Sequence, residues 1–195
     1  MKNLIKLLAL LLMAVAPTAQ AYTLSMVPSQ TTLSIGDSVS VDVVANALVD
    51  GAAPSIGSYD IDVVYDWHLL EFQSAVFGTG LDVLGLGSIQ QLVPGIGGIN
   101  FAEASLDTEE DLNALQPGSF TLFTLTFRAI APGSSTPFAI PNSVADAAAN
   151  ALVLDDETSA PITVLAPVPL PAAGWLLISG LGALAGFRRR VRAAR

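Results

Sequence analysis

Apolar and polar residues alternate with a period of two along much of this chain, and no long segment follows the period of an α-helix. Successive side chains of a β-strand point to opposite faces, so such a run predicts a strand with one buried and one solvent-exposed face. In one run, Val39, Val41 and Val43 alternate with Ser40 and Asp42. In a second run the apolar positions are Tyr59, Ile61, Val63 and Tyr65. Both runs favour a sheet whose inner face is built from these side chains.

A third apolar run changes parity part-way along its length. Phe120 and Leu122 share one parity, whereas Phe123, Leu125 and Phe127 share the other. An extra residue in one strand, a β-bulge, restores a single buried face, so we expect a bulge near Leu122. A central strand that is covered on both faces is the alternative.

Short apolar segments and turn formers fill most of the remaining sequence. Weaker patterns predict further strands at 23–27, 32–35, 99–102, 137–140, 151–154 and 162–165. Turns are predicted at Gly36-Asp37, Pro117-Gly118, Pro132-Gly133-Ser134-Ser135 and Pro141-Asn142. Many short strands joined by frequent turns predict an all-β fold, an antiparallel β-sandwich.

Two stretches depart from this pattern. Residues 78–98 contain seven of the sixteen glycines, which indicates a pliable connection or an irregular pair of strands. Thr108 precedes Glu109, Glu110 and Asp111. Such a sequence is typical of a helix N-terminus, because the hydroxyl and the carboxylates satisfy or attract the free amides there. We therefore expect one short helix after Thr108.

Charge and cysteine content limit what this chain can bind. It contains no cysteine, so it can form neither a disulfide nor a thiolate metal site. Between residues 22 and 167, one arginine, Arg128, stands against seventeen carboxylates, which gives this part a formal charge of −16. A surface of that sign repels nucleic acid, so we expect no nucleic-acid partner.

Residue types that perform catalysis are scarce. His68 is the single histidine, and neither a second metal-binding imidazole nor a Gly-x-Ser-x-Gly elbow accompanies it. We therefore expect a non-enzymatic protein without a cofactor. Calcium binding stays open at two acidic clusters, although neither has EF-hand spacing and a solvated face is the alternative. The clusters are Glu103, Asp107, Glu109, Glu110 and Asp111, and Asp146, Asn150, Asp155, Asp156 and Glu157.

The N-terminal residues have the order of a secretory signal peptide. Lys2 and Lys6 precede an apolar stretch over residues 7–16, and small residues follow it. The predicted signal peptidase site consists of Ala19, Ala21 and Tyr22, with cleavage before Tyr22. We expect a signal peptide at 1–21 and one exported domain at 22–167, which is long enough to bury a core.

The C-terminal residues 168–195 have the composition of a membrane anchor. Residues 170–187 carry no charge, and an arginine-rich end at 188–195 follows them, with Arg188, Arg189 and Arg190 in succession. A helix of this length spans about 27 Å, which is enough for the hydrocarbon core of a bilayer. This predicts one transmembrane helix with the arginines on the cytoplasmic side.

A four-residue motif stands directly before this apolar run: Val168, Pro169, Leu170 and Pro171. Motif, helix and arginine stop together resemble the PEP-CTERM sorting signal of Gram-negative bacteria, in its Val-Pro-Leu-Pro variant. The resemblance implies recognition by an exosortase, a membrane cysteine transpeptidase, and cleavage near the motif. It also implies transfer of the protein from the inner membrane to the cell surface or extracellular matrix. A plain membrane anchor is the alternative.

The strand rhythm over residues 32–165 is accompanied by a corner made of Tyr65, Asp66 and, four positions later, Leu70. In these features the exported part resembles the cohesin-like modules, jelly-roll sandwiches related to cellulose-binding modules. In that group the corner joins two core strands. Cohesins of cellulosomes bind dockerins through a sheet face, but no short motif here carries that activity over. A generic immunoglobulin-like sandwich is the alternative.

These features predict an exported, exosortase-sorted protein of the surface, matrix or biofilm with a structural or adhesive role. The first alternative is a binding module for carbohydrate or protein, whose partner is an exopolysaccharide or a surface protein. The second is an inner-membrane-anchored periplasmic protein. Sugar binding normally exposes a row of aromatic rings. Trp67 alone is available for that role, because Tyr59 and Tyr65 fall on the buried parity.

Overall fold

The computed structural model describes residues 21–46, 48–167 and 179–180. Ala19, the motif at 168–171 and the arginines at 188–190 lie outside the described residues, so the processing of both ends stays a prediction. No helix within the described residues is long and apolar enough to span a membrane. The architecture below is that of the compact unit that ends at Leu165.

Twelve strands and a short helix follow one another in the described part of this unit. The first six strands are β1 (Ala21–Pro28), β2 (Thr32–Ser34), β3 (Ser38–Asn46), β4 (Ile56–Val64), β5 (Leu70–Phe77) and β6 (Ser88–Pro94). The remaining elements are β7 (Gly98–Ser105), α1 (Glu109–Leu115), β8 (Phe120–Ala129), β9 (Gly133–Ser135), β10 (Phe138–Asp146), β11 (Val153–Ser159) and β12 (Ile162–Leu165).

The strands form a β-sandwich, as the sequence predicts. Its larger sheets have the strand orders β11-β1-β3-β8-β5 and β10-β4-β7-β6, and a small third sheet has the order β2-β12-β9. The expectation of a purely antiparallel fold is wrong at two pairs, since β1 pairs with β11 and β2 with β12 in parallel. More than a hundred residues separate the members of each pair, so no hairpin imposes an antiparallel direction.

Alternation places the predicted residues in the core between the two larger sheets. Val41 and Val43 on β3 are buried, as are Ile61 and Val63 on β4. The inner faces of the sheets meet through aromatic rings at Phe101 on β7 and Phe123 on β8, which stack with centroids 3.8 Å apart and planes 5° apart. Period-two patterning therefore assigned the inward face of both core strands correctly.

The predicted bulge lies in β8 at Leu122. Val43 on β3 opposes Phe123, and the next residue, Val44, opposes Thr121, so Leu122 is the extra residue. Leu122 and Phe123 are both buried. The bulge therefore turns two successive side chains toward the core. The apolar residues before and after it thus face the same side of the sheet, although their sequence parities differ.

The short helix α1 begins where the sequence predicts. Thr108 is its N-cap, and the threonine hydroxyl accepts a hydrogen bond from the Asp111 amide at 3.2 Å. Leu112 is the buried residue of this helix. The acidic first turn is thus part of a helix start.

Three sequence predictions are corrected. The predicted turn at 132–135 is largely a strand, because residues 133–135 form β9 and pair with β12. Pro141 and Asn142 do not form a turn, because β10 continues through them and Asn142 is an unpaired bulge residue between Pro141 and Ser143. Proline is tolerated there because β10 is an edge strand, where a missing amide donor costs little. In the glycine-rich stretch, β6 pairs with β7 without a register shift, so this pair is regular.

Candidate functional site

The predicted corner after β4 is built around Asp66. Its carbonyl oxygen accepts hydrogen bonds from the amides of Leu69 and Leu70 at 3.1 and 3.0 Å. Its carboxylate accepts from the His68 amide at 2.9 Å and lies 3.2 Å from the His68 ring nitrogen Nδ1. The His68 ring also packs on Trp67, with centroids 3.7 Å apart. These contacts assign the single histidine to the corner itself.

The first acidic cluster is divided among separate structural tasks. Glu103 on β7 is buried and accepts hydrogen bonds from the Tyr59 hydroxyl, the Ser88 hydroxyl and the Gln90 amide. Burial and the adjacent Glu103 carboxylate raise the pKa of Tyr59 well above its usual range. Asp107 accepts from the Val83 amide at 2.7 Å and so anchors the loop before β6.

The second acidic cluster likewise serves the backbone. Asp146 accepts hydrogen bonds from the amides of Ala148 and Asn150, which closes the turn after β10. Glu157 on β11 accepts from the Ala139 amide at 2.8 Å. Over the described ranges, no group of three or more histidine, aspartate or glutamate side chains is arranged to hold a metal ion.

Of the predicted signal peptidase residues, Ala21 and Tyr22 lie within the described residues. Ala21 begins β1 and opposes Val153 on β11. Tyr22 is buried in the core, and burial raises the pKa of its hydroxyl to about 12. Cleavage before Tyr22 stays a prediction, and it would leave this core side chain on the mature chain.

A polar cluster lies at the centre of the outer face of the four-stranded sheet. We call it the amide–carboxylate cluster, and it consists of Asp60 and Asp62 on β4, Asn100 on β7 and Asn142 on β10. The Asn100 amide donates to the two carboxylates at 2.6 and 2.9 Å. The Asn142 amide donates to the same pair at 3.2 and 3.1 Å. Hydrogen bonds from Asn142 and Asn100 lower the pKa of Asp62. Both carboxylates are thus held by neutral donors.

Exposed apolar side chains flank this cluster on both edge strands. Ile140 on β10 opposes Asp62, Asp62 opposes Asn100, and Asn100 opposes Val93 on β6. Ile140 and Val93 are 43% and 48% exposed. A row with apolar ends and a polar centre therefore crosses the sheet. Phe138, 41% exposed, adds an aromatic ring beside Ile140.

The outer face of the five-stranded sheet has a different character. Its two central strands, β3 and β8, present hydroxyl-bearing side chains there, among them Ser40 and Thr126, which oppose each other. Thr124 donates a hydrogen bond to Asp42 at 2.6 Å. This face also has apolar flanks, because Val27 on β1 opposes Asp42 and Val76 on β5 opposes Thr124. It differs in charge, since Arg128 on β8 shares the outward parity of Thr126, and it serves as the control surface.

Sequence reasoning placed Asp60 and Asp62 on the solvent side but did not find the cluster. The available signal was the Asp-x-Asp spacing on outward parity. Nothing local to β4 shows that Asn100 and Asn142 meet these carboxylates, because that depends on the register of β7 and β10.

Comparison with solved structures identifies the architecture. A non-cellulosomal cohesin from Archaeoglobus fulgidus superposes with a TM-score of 0.56 at 16% identity, over 75% of this chain and 92% of the other. The seventh ScaB type I cohesin from Pseudobacteroides cellulosolvens gives 0.58 at 17% identity, over 77% and 96%. The fold is cohesin-like.

A third solved structure extends the comparison to a complex. A chain of the type II cohesin–X–dockerin complex from Acetivibrio cellulolyticus gives a TM-score of 0.61 at 15% identity, over 74% of this chain and 99% of the other. At these identities the similarity establishes the fold alone. No protein-family model matches this chain, and no curated protein sequence matches it either.

Proposed function

We propose that the cohesin-like domain is a non-enzymatic protein-binding module and that it binds through the outer face of the four-stranded sheet. The row from Ile140 through Asp62 and Asn100 to Val93 carries this proposal, because its centre holds a pair of carboxylates, whereas the outer face of the other sheet carries Arg128. Exposed apolar side chains on both edges supply area that a partner can remove from water, at roughly 25 cal/mol per Å². The polar side chains at the centre of the row fix the orientation in which a partner binds, as polar groups within an apolar interface do.

The charge of this face selects the kind of partner. Asp60 and Asp62 lie together, and no lysine or arginine of the described residues forms a salt bridge with either carboxylate. Arg128, the one basic residue between 22 and 167, lies on β8 of the other sheet. A lysine or arginine of a partner would therefore meet two carboxylates without a competing cation. The formal charge of −16 also steers basic partners toward the domain.

The width of the row indicates the shape of the partner segment. Four adjacent strands place Ile140 and Val93 about 14 Å apart, at about 4.8 Å per strand spacing. An α-helix rises about 1.5 Å per residue, so about ten residues of one helix that lies along the row cover it. We therefore expect a partner helix with a basic residue at its centre and apolar residues on both sides.

The comparisons support this alternative better than the structural or adhesive role expected from the sequence. Two of the similar structures are cohesins, and the third belongs to a cohesin–dockerin complex. Carbohydrate binding has less support, because Phe138 is the one aromatic side chain on this face within the described residues. A single ring does not form the aromatic row that sugars stack on.

Site-specific photo-crosslinking in the native host tests the binding face. A photo-reactive amino acid replaces Ile140 in the full chain, and a matched variant carries it at Thr126 on the outer face of the other sheet. We expect one protein adduct from position 140 and none from position 126. The same adduct from both positions, or an adduct from position 126 alone, contradicts the proposal.

Export and sorting complete the proposed function. The signal peptide and the PEP-CTERM-like tail would carry the module to the cell surface or matrix, with an exosortase as the processing enzyme. The tail supports sorting over passive anchoring because it contains the motif at 168–171 as well as the apolar run and the arginines. Insertion and orientation need only the last two.

Replacing Pro169 and Pro171 by alanine tests the sorting proposal. Membrane insertion should persist, because the apolar run and the arginines are unchanged, and a full-length, cell-associated form should accumulate. The parent should lose Arg188–Arg195 and reach the surface or matrix fraction, which intact mass and fractionation measure. A parent that retains these arginines, or a variant processed like the parent, identifies an ordinary membrane anchor.

A further inference from the structure

Among the described residues, strand β6 is a sheet edge that no other strand pairs with. It ends the four-stranded sheet, and its six residues from Ile89 to Pro94 are all exposed. Ile89 is 65% exposed, and the strand Ser88–Pro94 contains no charged side chain. An uncharged edge of this kind presents free backbone donors and acceptors to any strand that approaches it.

The other edges of the two larger sheets are blunted. Strand β10 carries a proline and the Asn142 bulge, and β5 carries a bulge at Gln73. Strand β11 has a bulge at Asp155, with Asp156 and Glu157 directly after it. Bulges, prolines and charges are the devices by which proteins prevent edge-to-edge pairing. Strand β6 has neither a charge nor a register shift against β7, and its one proline, Pro94, is its last residue.

The backbone groups that β6 leaves free follow from its hairpin with β7. The Gly95 amide donates to the Gly98 carbonyl at 2.8 Å. Gly95 and Gly98 are therefore a hydrogen-bonded pair, and in an antiparallel ladder every second residue belongs to such a pair. Counting back from Gly95, Val93 and Gln91 direct their backbone N–H and C=O groups to β7. Gln90 and Leu92 therefore direct their N–H and C=O groups to the open edge.

We propose that β6 pairs antiparallel with β6 of a second copy of this chain, around a twofold axis at Gln91. In this register Gln90 exchanges both backbone hydrogen bonds with Leu92 of the second copy, so the free groups match. On the outer face, Ile89 meets Val93 of the second copy. The two four-stranded sheets then form one continuous sheet.

Self-complementarity favours a second copy over an unrelated strand. The twofold register joins apolar to apolar on the outer face and leaves the two Gln91 side chains opposite each other. Neither strand brings a charge into the contact, although the two domains repel each other at long range because both are acidic. Salt screens that repulsion, so the dimer is stabilised by added salt.

The absence of native cysteine makes this register directly measurable. In the twofold pairing, the two Gln91 residues form a non-hydrogen-bonded pair with Cα atoms about 4.5 Å apart. This separation lies within the range of about 4.4–6.8 Å that a disulfide spans. Gln91→Cys, introduced into the full chain and oxidised mildly in intact host cells before fractionation, should therefore give a disulfide-linked dimer.

Two cysteine variants serve as controls. Ile89→Cys lies on the same strand and face, but the two Ile89 residues are four positions out of register, about 14 Å apart at 3.4 Å per residue. Val76→Cys lies on β5, where Val76 is 68% exposed. We expect oxidation to the dimer to be at least tenfold slower for both controls than for Gln91→Cys.

A charge variant tests the same contact without crosslinking. Gln91→Lys would place two ammonium groups opposite each other, so the variant purified from the host should sediment as a monomer while the parent shows a dimer that salt stabilises. The proposal would be overturned if Gln91→Cys formed no dimer or formed a disulfide with a different protein. Equal rates of disulfide formation at positions 91, 89 and 76 would also overturn it. A Gln91→Lys variant that dimerises like the parent would do the same.

Discussion

Replacing Phe127 by alanine is expected to lower the free energy of unfolding by about 3–5 kcal/mol, as for other buried aromatic residues. The side chain is fully buried on β8. Its ring contacts Tyr65, the residue directly after β4, with centroids 4.8 Å apart, and Phe72 on β5, with centroids 6.2 Å apart. The substitution therefore leaves a cavity where the two sheets meet, and neighbouring rings close it only in part.

Denaturant unfolding measures this effect, with Ile61→Ala as a second core variant and Thr126→Ala as the matched control. Ile61 is fully buried on β4, so its truncation should cost about 2–5 kcal/mol. Thr126 precedes Phe127 but points to solvent, so the control should stay within about 0.5 kcal/mol of the parent. Core variants with the parent's midpoint would contradict the assigned inner face.

Replacing Gln116 by alanine is expected to cost about 2–4 kcal/mol, since each buried polar group that loses its partner costs about 1–3 kcal/mol. The Gln116 side chain is buried at the end of α1. Its oxygen accepts from the Ile56 amide at 2.6 Å, and its nitrogen donates to the carbonyls of Ile56 and Gly80 at 2.9 and 2.8 Å. One side chain thus fastens the helix, the start of β4 and the loop after β5.

The variant Gln116→Glu distinguishes the contribution of the hydrogen bonds to stability from the contribution of side-chain packing. It preserves the shape of the side chain but removes the donor to the two carbonyls, so it should also destabilise the fold. Gln73→Ala, at an exposed bulge residue of β5, is the control and should change the unfolding midpoint little. A Gln116→Ala variant as stable as the parent would show that these backbone groups find other partners.

The sequence predicts those parts of the fold that local patterns determine. Alternation assigned the inner faces of β3 and β4, the change of parity predicted the bulge at Leu122, and Thr108 predicted the start of α1. Each of these features depends on a segment of about ten consecutive residues. Fold class followed from the same patterns, because many short alternating runs can bury their apolar faces only against another sheet.

Strands whose pattern is broken were not predicted. Strand β6 is exposed on both faces, so Ser88–Pro94 has no alternation to detect. In β5 the bulge at Gln73 shifts parity within the strand. Gln116 was missed for another reason, because its partners lie sixty and thirty-six positions away. Contacts at that range depend on the assembled sheets.

The outer face of the four-stranded sheet was likewise predicted only where local sequence determines it. Outward parity of Asp60 and Asp62 is a local property and was correct. Their meeting with Asn142 requires the bulge in β10, where the Pro141-Asn142 pair indicated a turn. Edge strands tolerate proline, so this dipeptide does not distinguish a turn from a bulge without knowledge of the neighbouring strand.

The affinity for the protein crosslinked at position 140 tests the central claim most directly. Titration calorimetry would compare the parent with Asp60→Ala/Asp62→Ala and with Ser40→Ala/Thr126→Ala, the matched pair on the other sheet. A charge-assisted hydrogen bond contributes about 1.5–3 kcal/mol, so loss of both carboxylates should weaken binding by at least about tenfold. The control pair should bind like the parent. Equal affinity of all three proteins, or a loss confined to the control pair, would contradict binding through the four-stranded sheet.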